Sequence, residues 1–130
     1  MPALKDALLI RTLALPAAGA NATTSSIDLG QVPPNEFRFE VEMDLPALPS
    51  LADTKKATIT LEDSADGTTF AAIAGLASLE VTGAGGVGAA AVNRRVRLPA
   101  DVRRYLRAKA AVEATGGNNT AKSLTLALVF

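Results

Sequence analysis

The sequence predicts an all-β domain, an antiparallel β-sandwich or barrel of about eight or nine short strands. Three observations carry that expectation. From Glu36 to Asp44, charged and apolar residues alternate without a miss, with Phe37, Phe39, Val41 and Met43 in one set and Glu36, Arg38, Glu40, Glu42 and Asp44 in the other. Only an extended strand, with its two-residue period, sends those sets to opposite faces. Similar alternation returns in Lys56–Glu62, Arg103–Glu113 and Ser123–Phe130. Turn signals rich in Gly, Pro, Asn and Asp separate such runs at intervals of roughly 8–15 residues, as in sandwiches and barrels.

In chain order, Ala7–Leu15 predicts a first strand, or a short helix leading into one. Pro16–Thr24, small and polar with one glycine, predicts a loop. Ser25–Leu29 predicts a short strand closed by Gly30, and Val32-Pro33-Pro34 stiffens the connection that follows because proline fixes φ. After the Glu36–Asp44 strand, Pro46 and Pro49 make Leu45–Asp53 a long loop. Lys56–Glu62 places Ala57, Ile59 and Leu61 opposite Thr58 and Thr60. Asp63-Ser64-Ala65-Asp66-Gly67 is turn chemistry, from which Thr68–Ile73 pairs back as a hairpin. Leu76–Thr82 predicts a strand and Gly83–Gly88 a flexible loop. Ala90–Leu98 is mixed, with Val92, Val96 and Leu98 among Arg94, Arg95 and Arg97. Outside the N-terminal segment, helix is expected only as a turn near Pro99–Arg104. Arg103–Glu113 sets Leu106, Ala108, Ala110 and Val112 against Arg107 and Lys109. Gly116-Gly117-Asn118-Asn119 is a hairpin-type turn, and Ser123–Phe130 ends the chain with Leu124, Leu126, Leu128 and Phe130 on one face.

A chain of 130 residues suits one domain. A domain of this size buries roughly 65–70% of its unfolded surface, so it folds without a disulfide or a metal. There is no cysteine and no histidine. Thiol catalysis, zinc–thiolate sites and Ser-His-Asp or Cys-His constellations therefore cannot be built. No apolar run of about 18 residues predicts a transmembrane helix. The apolar Met1–Pro16 segment is broken by Lys5, Asp6 and Arg11 and predicts a structural arm or first strand rather than a secretory signal, although Ala17-Ala18-Gly19-Ala20 superficially resembles a cleavage site. Hydrophobic residues make up 48% of the chain but aromatics only 4%. The core must be aliphatic, and oligomerisation would complete it.

Net charge is zero, yet the charges are segregated: residues 28–80 carry ten acids and three bases, and residues 81–130 carry eight bases and two acids. An acidic strand beside a basic one gives cross-strand pairing. The alternative is a two-signed surface that docks on neighbours. The crowded bases Arg94, Arg95, Arg97, Arg103, Arg104, Arg107 and Lys109 could neutralise phosphates. Only Tyr105 among them could stack on a base, so pairing with the chain's own acids or with an acidic protein surface is the better expectation.

Three further patterns point to chemistry that their contexts oppose. Gly83-Ala84-Gly85-Gly86-Val87-Gly88 matches the dinucleotide-binding spacing, but that motif needs a helix after it and a parallel sheet around it. The segment after Gly88 instead carries three arginines and reaches Pro99 quickly. Glu62, Asp63 and Asp66 offer oxygen ligands to calcium, at a spacing unlike that of known calcium loops. As an acid/base pair for glycoside hydrolysis the same carboxylates lack an aromatic platform. Asn21-Ala22-Thr23 and Asn118-Asn119-Thr120 fit the glycosylation sequon, which matters only in a secreted chain.

Three stretches then carry a resemblance. They are Thr24-Ser25-Ser26-Ile27-Asp28-Leu29-Gly30; Ala57–Phe70, where a strand runs into Ser64-Ala65-Asp66-Gly67-Thr68-Thr69-Phe70; and Leu98-Pro99 followed by Arg104-Tyr105-Leu106-Arg107, an alternating strand, a Gly-rich turn and an apolar last strand. In this order, over nearly the whole chain, they resemble the jelly-roll capsid cement (decoration) proteins of tailed bacteriophages. The resemblance implies an antiparallel jelly roll of about eight strands. Residues 1–130 would form one jelly-roll-like domain, with 1–23 as the N-terminal arm or first strand and its loop.

It also implies a structural role without catalysis or cofactor. The protein, made in the host cytoplasm, would sit as a homotrimer or homodimer on the outer surface of the head. There it would bridge major capsid subunits, with no nucleic-acid or membrane partner. The family has no active-site residues to carry over, since its contacts are spread over loops and termini. The candidate interface residues in this chain are Leu4, Leu8, Glu40, Glu42, Arg94, Arg95, Arg97 and Arg104. A carbohydrate-binding or adhesin-type sandwich, or a tail component, is the alternative; the scarcity of aromatics opposes the first of these.

Overall fold

A computed structural model describes residues 5–31, 40–99 and 101–129 of the chain, the side chains of 5–8 and 31 excepted. Ten strands and one 3-10 turn make up its regular structure, with no α-helix among the described residues. The strands are β1 (Lys5–Ala14), β2 (Asn21–Thr23), β3 (Ile27–Asp28), β4 (Glu40–Leu45), β5 (Lys56–Ser64), β6 (Ala71–Ala72), β7 (Leu79–Thr82), β8 (Val92–Val96), β9 (Tyr105–Val112) and β10 (Ser123–Val129). The 3-10 turn is Leu29–Gln31. All pairings between strands are antiparallel.

The strands form two sheets. The first is four-stranded in the order β1-β10-β4-β8. The second is six-stranded, with β2 and β3 both on one flank of β9 and β6 and β7 both on the far flank of β5. Each of those pairs is one interrupted strand. Between β2 and β3, buried Thr24 keeps the ladder going: its N–H donates to the Ala108 carbonyl at 2.9 Å, and its hydroxyl accepts from the Ala108 N–H at 3.1 Å. Between β6 and β7, the Ile73 N–H does the same with the Leu61 carbonyl at 3.1 Å.

With each pair counted once, ten strands become eight positions, in the orders 1-8-3-6 and 2-7-4-5. The chain changes sheet at every connection except that between positions 4 and 5. That winding is the jelly roll, two sheets that bury their inner faces on each other. The expectation of about eight strands is met in this sense.

Alternation sets the inner faces. In β9, Leu106, Ala108, Ala110 and Val112 are buried while the residues between them are half-exposed. Facing them across the ladder are Asp63, Leu61, Ile59 and Ala57 of β5. In β10, Leu124, Leu126 and Leu128 point inward beside Met43 and Val41 of β4. One aliphatic cluster joins both sheets. It also takes Leu48 and Leu51 from the Pro-rich loop, which the sequence marks only as a connection.

Several sequence expectations need correction. β2 lies inside Pro16–Thr24, where a loop was expected. The hairpin expected over Thr68–Ile73 is reduced to Ala71–Ala72, because Asp66 holds Thr68 and Thr69 in the turn. Asp63 and Ser64 are the last residues of β5, not turn residues. Near Pro99–Arg104, where a helical turn is expected, the described residues hold no helix, and the Val102 N–H donates to the Pro99 carbonyl at 3.1 Å. Phe37 and Phe39 lie outside the described residues, so the inner face of the Glu36–Asp44 run is described only at Val41 and Met43.

Candidate interaction surface

The arginines follow from where β9 begins. Arg103 and Arg104 immediately precede it, and β9 runs between β3 and β5. Neighbouring residues of an extended chain reach opposite ways, so the two arginines clasp opposite flanks. Arg103 closes on Asp63, at the end of β5. Its Nη2 donates to Oδ1 at 2.7 Å and to the Asp63 carbonyl at 2.9 Å, its Nε donates to Oδ1 at 2.9 Å, and its backbone N–H donates to Oδ2 at 3.0 Å. Asp63 occupies an inward-facing register position opposite Leu106. A buried carboxylate there needs such a set of donors.

Arg104 reaches Asp28 of β3 through Nε and Nη2, both at 2.9 Å to separate carboxylate oxygens. This planar two-bond pairing is specific to arginine. Two residues into β9, Arg107 donates through Nε to its register partner Glu62 at 2.8 Å. Its guanidinium also lies 4.0 Å from the Phe70 ring centroid, within cation–π range. Arg104 lies 5.2 Å from the Tyr105 ring centroid. In the other sheet, Arg95 of β8 donates to its register partner Glu42 of β4 at 3.1 Å.

Four of the five ion pairs among the described residues thus join the acidic middle of the chain to its basic last third, the fifth being Lys56–Glu80. The segregated charge is spent largely on the fold's own cross-strand pairing. Sequence pointed to this through the charge balance, but the partners could not be named without the register.

Glu42 requires a correction. The alternation places it rightly on the outer face of β4, between Ala127 and Arg95. It is nonetheless buried, at 4% exposure, instead of facing water. Glu62 and Asp63, expected in or beside an exposed turn, are buried too, at 8% and 6%.

The other candidate residues are dispersed. Glu40 is half-buried at the start of β4. Arg94 points to the inner side of β8, opposite Met43, and its Nη1 lies 3.4 Å from the Ser78 carbonyl. Arg97 is exposed just past β8, and its side chain makes no hydrogen bond or ion pair among the described residues. Leu8 belongs to β1, but its side chain, like the whole of Leu4, lies outside the described residues.

The motifs that hinted at chemistry are occupied in other ways. Asp66 Oδ1 accepts from the Ser64 hydroxyl at 2.8 Å and from the N–H groups of Thr68 at 2.9 Å and Thr69 at 3.0 Å. With Glu62 held by Arg107 and Asp63 by Arg103, these three carboxylates turn to different partners. No group of three or more acidic side chains is placed to hold a metal among the described residues. The Gly83–Gly88 segment leads into strand β8, not into a helix, so the dinucleotide geometry is missing. Its loop is closed by the Ala84 N–H to Gly88 carbonyl bond at 3.1 Å and tethered by the Gly86 N–H to Asp53 at 2.9 Å.

The paired carboxylates set a pH dependence. The two backbone N–H groups and the Ser64 hydroxyl lower the Asp66 pKa to about 2. The Arg104 guanidinium lowers that of Asp28. Burial alone would raise the Asp63 pKa, but the Arg103 bonds outweigh it and leave it below the usual value. Depressed folded-state values mean stability that is present above the unfolded value of 3.8 and lost as the pH falls through the folded ones. Melting temperature should therefore hold from pH 7 to about 5 and drop steeply between about 4 and 2. A flat melting profile over that acid window would contradict these pairings.

No protein-family profile matches this chain, and no curated protein sequence matches it.

Proposed function

We propose that this chain is a capsid decoration protein of a tailed bacteriophage, a virion structural protein that binds the outside of the head and ties major capsid subunits together. The observation that supports this reading best is the jelly-roll winding in a chain that already resembles such proteins at Thr24–Gly30, Ala57–Phe70 and Leu98–Arg107. Cementing a shell calls for a rigid body with exposed loops and no titrating group. Charges neutralised by ion pairs within the chain, and loops locked by backbone contacts, give such a body. Many copies on one particle let modest single contacts hold firmly. Self-association as a homotrimer, or as a homodimer, matches the symmetry axes of a head.

The test is to mix purified protein with undecorated heads of the phage that encodes it and sediment them. Saturable co-sedimentation is expected; its absence across a range of salt concentrations would overturn the proposal. Light scattering adds a second reading, in which a stable trimer or dimer is expected. Rings or tubes would favour a tail component, and a monomer would count against cementing.

A further inference from the structure

The sheet edges are unequal. Both edges of the six-stranded sheet are broken into pieces of two to four residues: β2 and β3 on one side, β6 and β7 on the other. Interrupted edges resist strand addition. The edges of the four-stranded sheet are β1 and β8. β1 breaks register between Lys5 and Ile10, a second way to spoil an edge. β8 has neither defence. It pairs residue by residue with β4 from Val92 to Val96, and no described strand lies on its other side. Along that side, every second residue turns its N–H and C=O away from the sheet.

The charge on this edge selects the partner. Arg94, Arg95 and Arg97 fall within four consecutive positions. Arg95 has Glu42. Arg94 has only the distant Ser78 carbonyl, and Arg97 has no partner among the described residues. Two copies joined edge to edge at β8 would crowd these arginines against one another, and like charges placed opposite are destabilising. An acidic strand would meet them with opposite charge while filling the backbone bonds.

We propose that the edge of β8, open among the described residues, accepts an extended acidic segment of another protein as a fifth strand of the four-stranded sheet. This is strand addition, with main-chain bonds supplying affinity and alternate side chains supplying choice. On the decoration reading the segment belongs to the major capsid subunit. That source rests on the reading above; the strand addition rests on β8 alone.

Two arms separate these claims. In the first, an eight-residue peptide of alternating Glu and Val is titrated into 15N-labelled protein, with a Lys–Val peptide as control. Saturable amide shifts confined to Val92–Arg97 and their neighbours are expected with the acidic peptide only. Binding should weaken at least about tenfold in the Arg94→Glu/Arg97→Glu variant. Arg97→Glu alone, at an exposed position, keeps the test usable if the double variant fails to fold. No saturable shifts at β8, or equal shifts with the Lys peptide, would overturn the proposal.

In the second arm the same variants are sedimented with undecorated heads. Loss of binding in Arg97→Glu but not in the control Lys109→Glu supports β8 as the capsid contact. Equal binding by wild type and Arg97→Glu overturns that assignment. If wild type itself fails to bind, the decoration reading falls, and the peptide arm still decides the edge.

Discussion

Gly88→Ala is expected to destabilise the protein by about 4 kcal/mol, since it adds left-handed backbone strain to a collision in a packed region. Gly88 has φ +74°, and a Cβ built on it would drive into the Leu48 carbonyl oxygen and crowd Pro49. That carbonyl cannot move freely, because Leu48 and Ala89 exchange two backbone bonds, at 2.8 and 3.0 Å, and the Leu48 side chain is in the core. Gly117 is under the same constraint against the Ser50 carbonyl, with φ +88°. These glycines lock the connections after β4, β7 and β9 together at one end of the sandwich. Gly85 is the internal control. Its φ is +64°, but nothing lies within 4 Å of the added carbon, so Gly85→Ala should cost only the left-handed strain, about 1 kcal/mol. Urea denaturation of both variants checks this, and equal midpoints would mean that the Gly83–Gly88 loop is not seated on the Leu48–Asp53 loop.

The second large effect is in the core. Ile59→Ala should cost about 3 kcal/mol, the transfer energy lost plus the cavity left behind. Ile59 is fully buried between its register partners Ala110 and Leu79. Alanine on one side offers little side chain to refill the space. Thr60→Ala, one residue on, removes an exposed 3.1 Å contact with the Ser78 hydroxyl and should cost less than about 1 kcal/mol. The ratio between the two measures the strand assignment directly, because a register slip of one residue would exchange their faces.

Strands whose pattern was complete in themselves were legible in the sequence. β5, β9 and β10 each alternate over several residues and bury the predicted face. The short edge pieces were not legible. β2 and β6 are exposed, small-residue segments whose strand character comes only from the neighbour they pair with. Period two gave the face of Glu42 but not its burial, since burial depends on what stands on either side. The ion pairs were visible only as a charge imbalance: Arg103–Asp63 is 40 residues apart in sequence and Arg104–Asp28 is 76, and no local pattern links residues so distant. Among the candidate interface residues, the ion pairs sort Arg95, Arg104 and Glu42, already engaged within the chain, from Arg97, whose side chain has no partner among the described residues.

Cryo-electron microscopy of undecorated heads, imaged before and after addition of the purified protein, tests the decoration proposal most directly. Added density is expected on the outer surface, repeated at symmetry axes, with a shape into which the two-sheet body fits. Heads that look the same with and without the protein, at concentrations well above saturation, would contradict it.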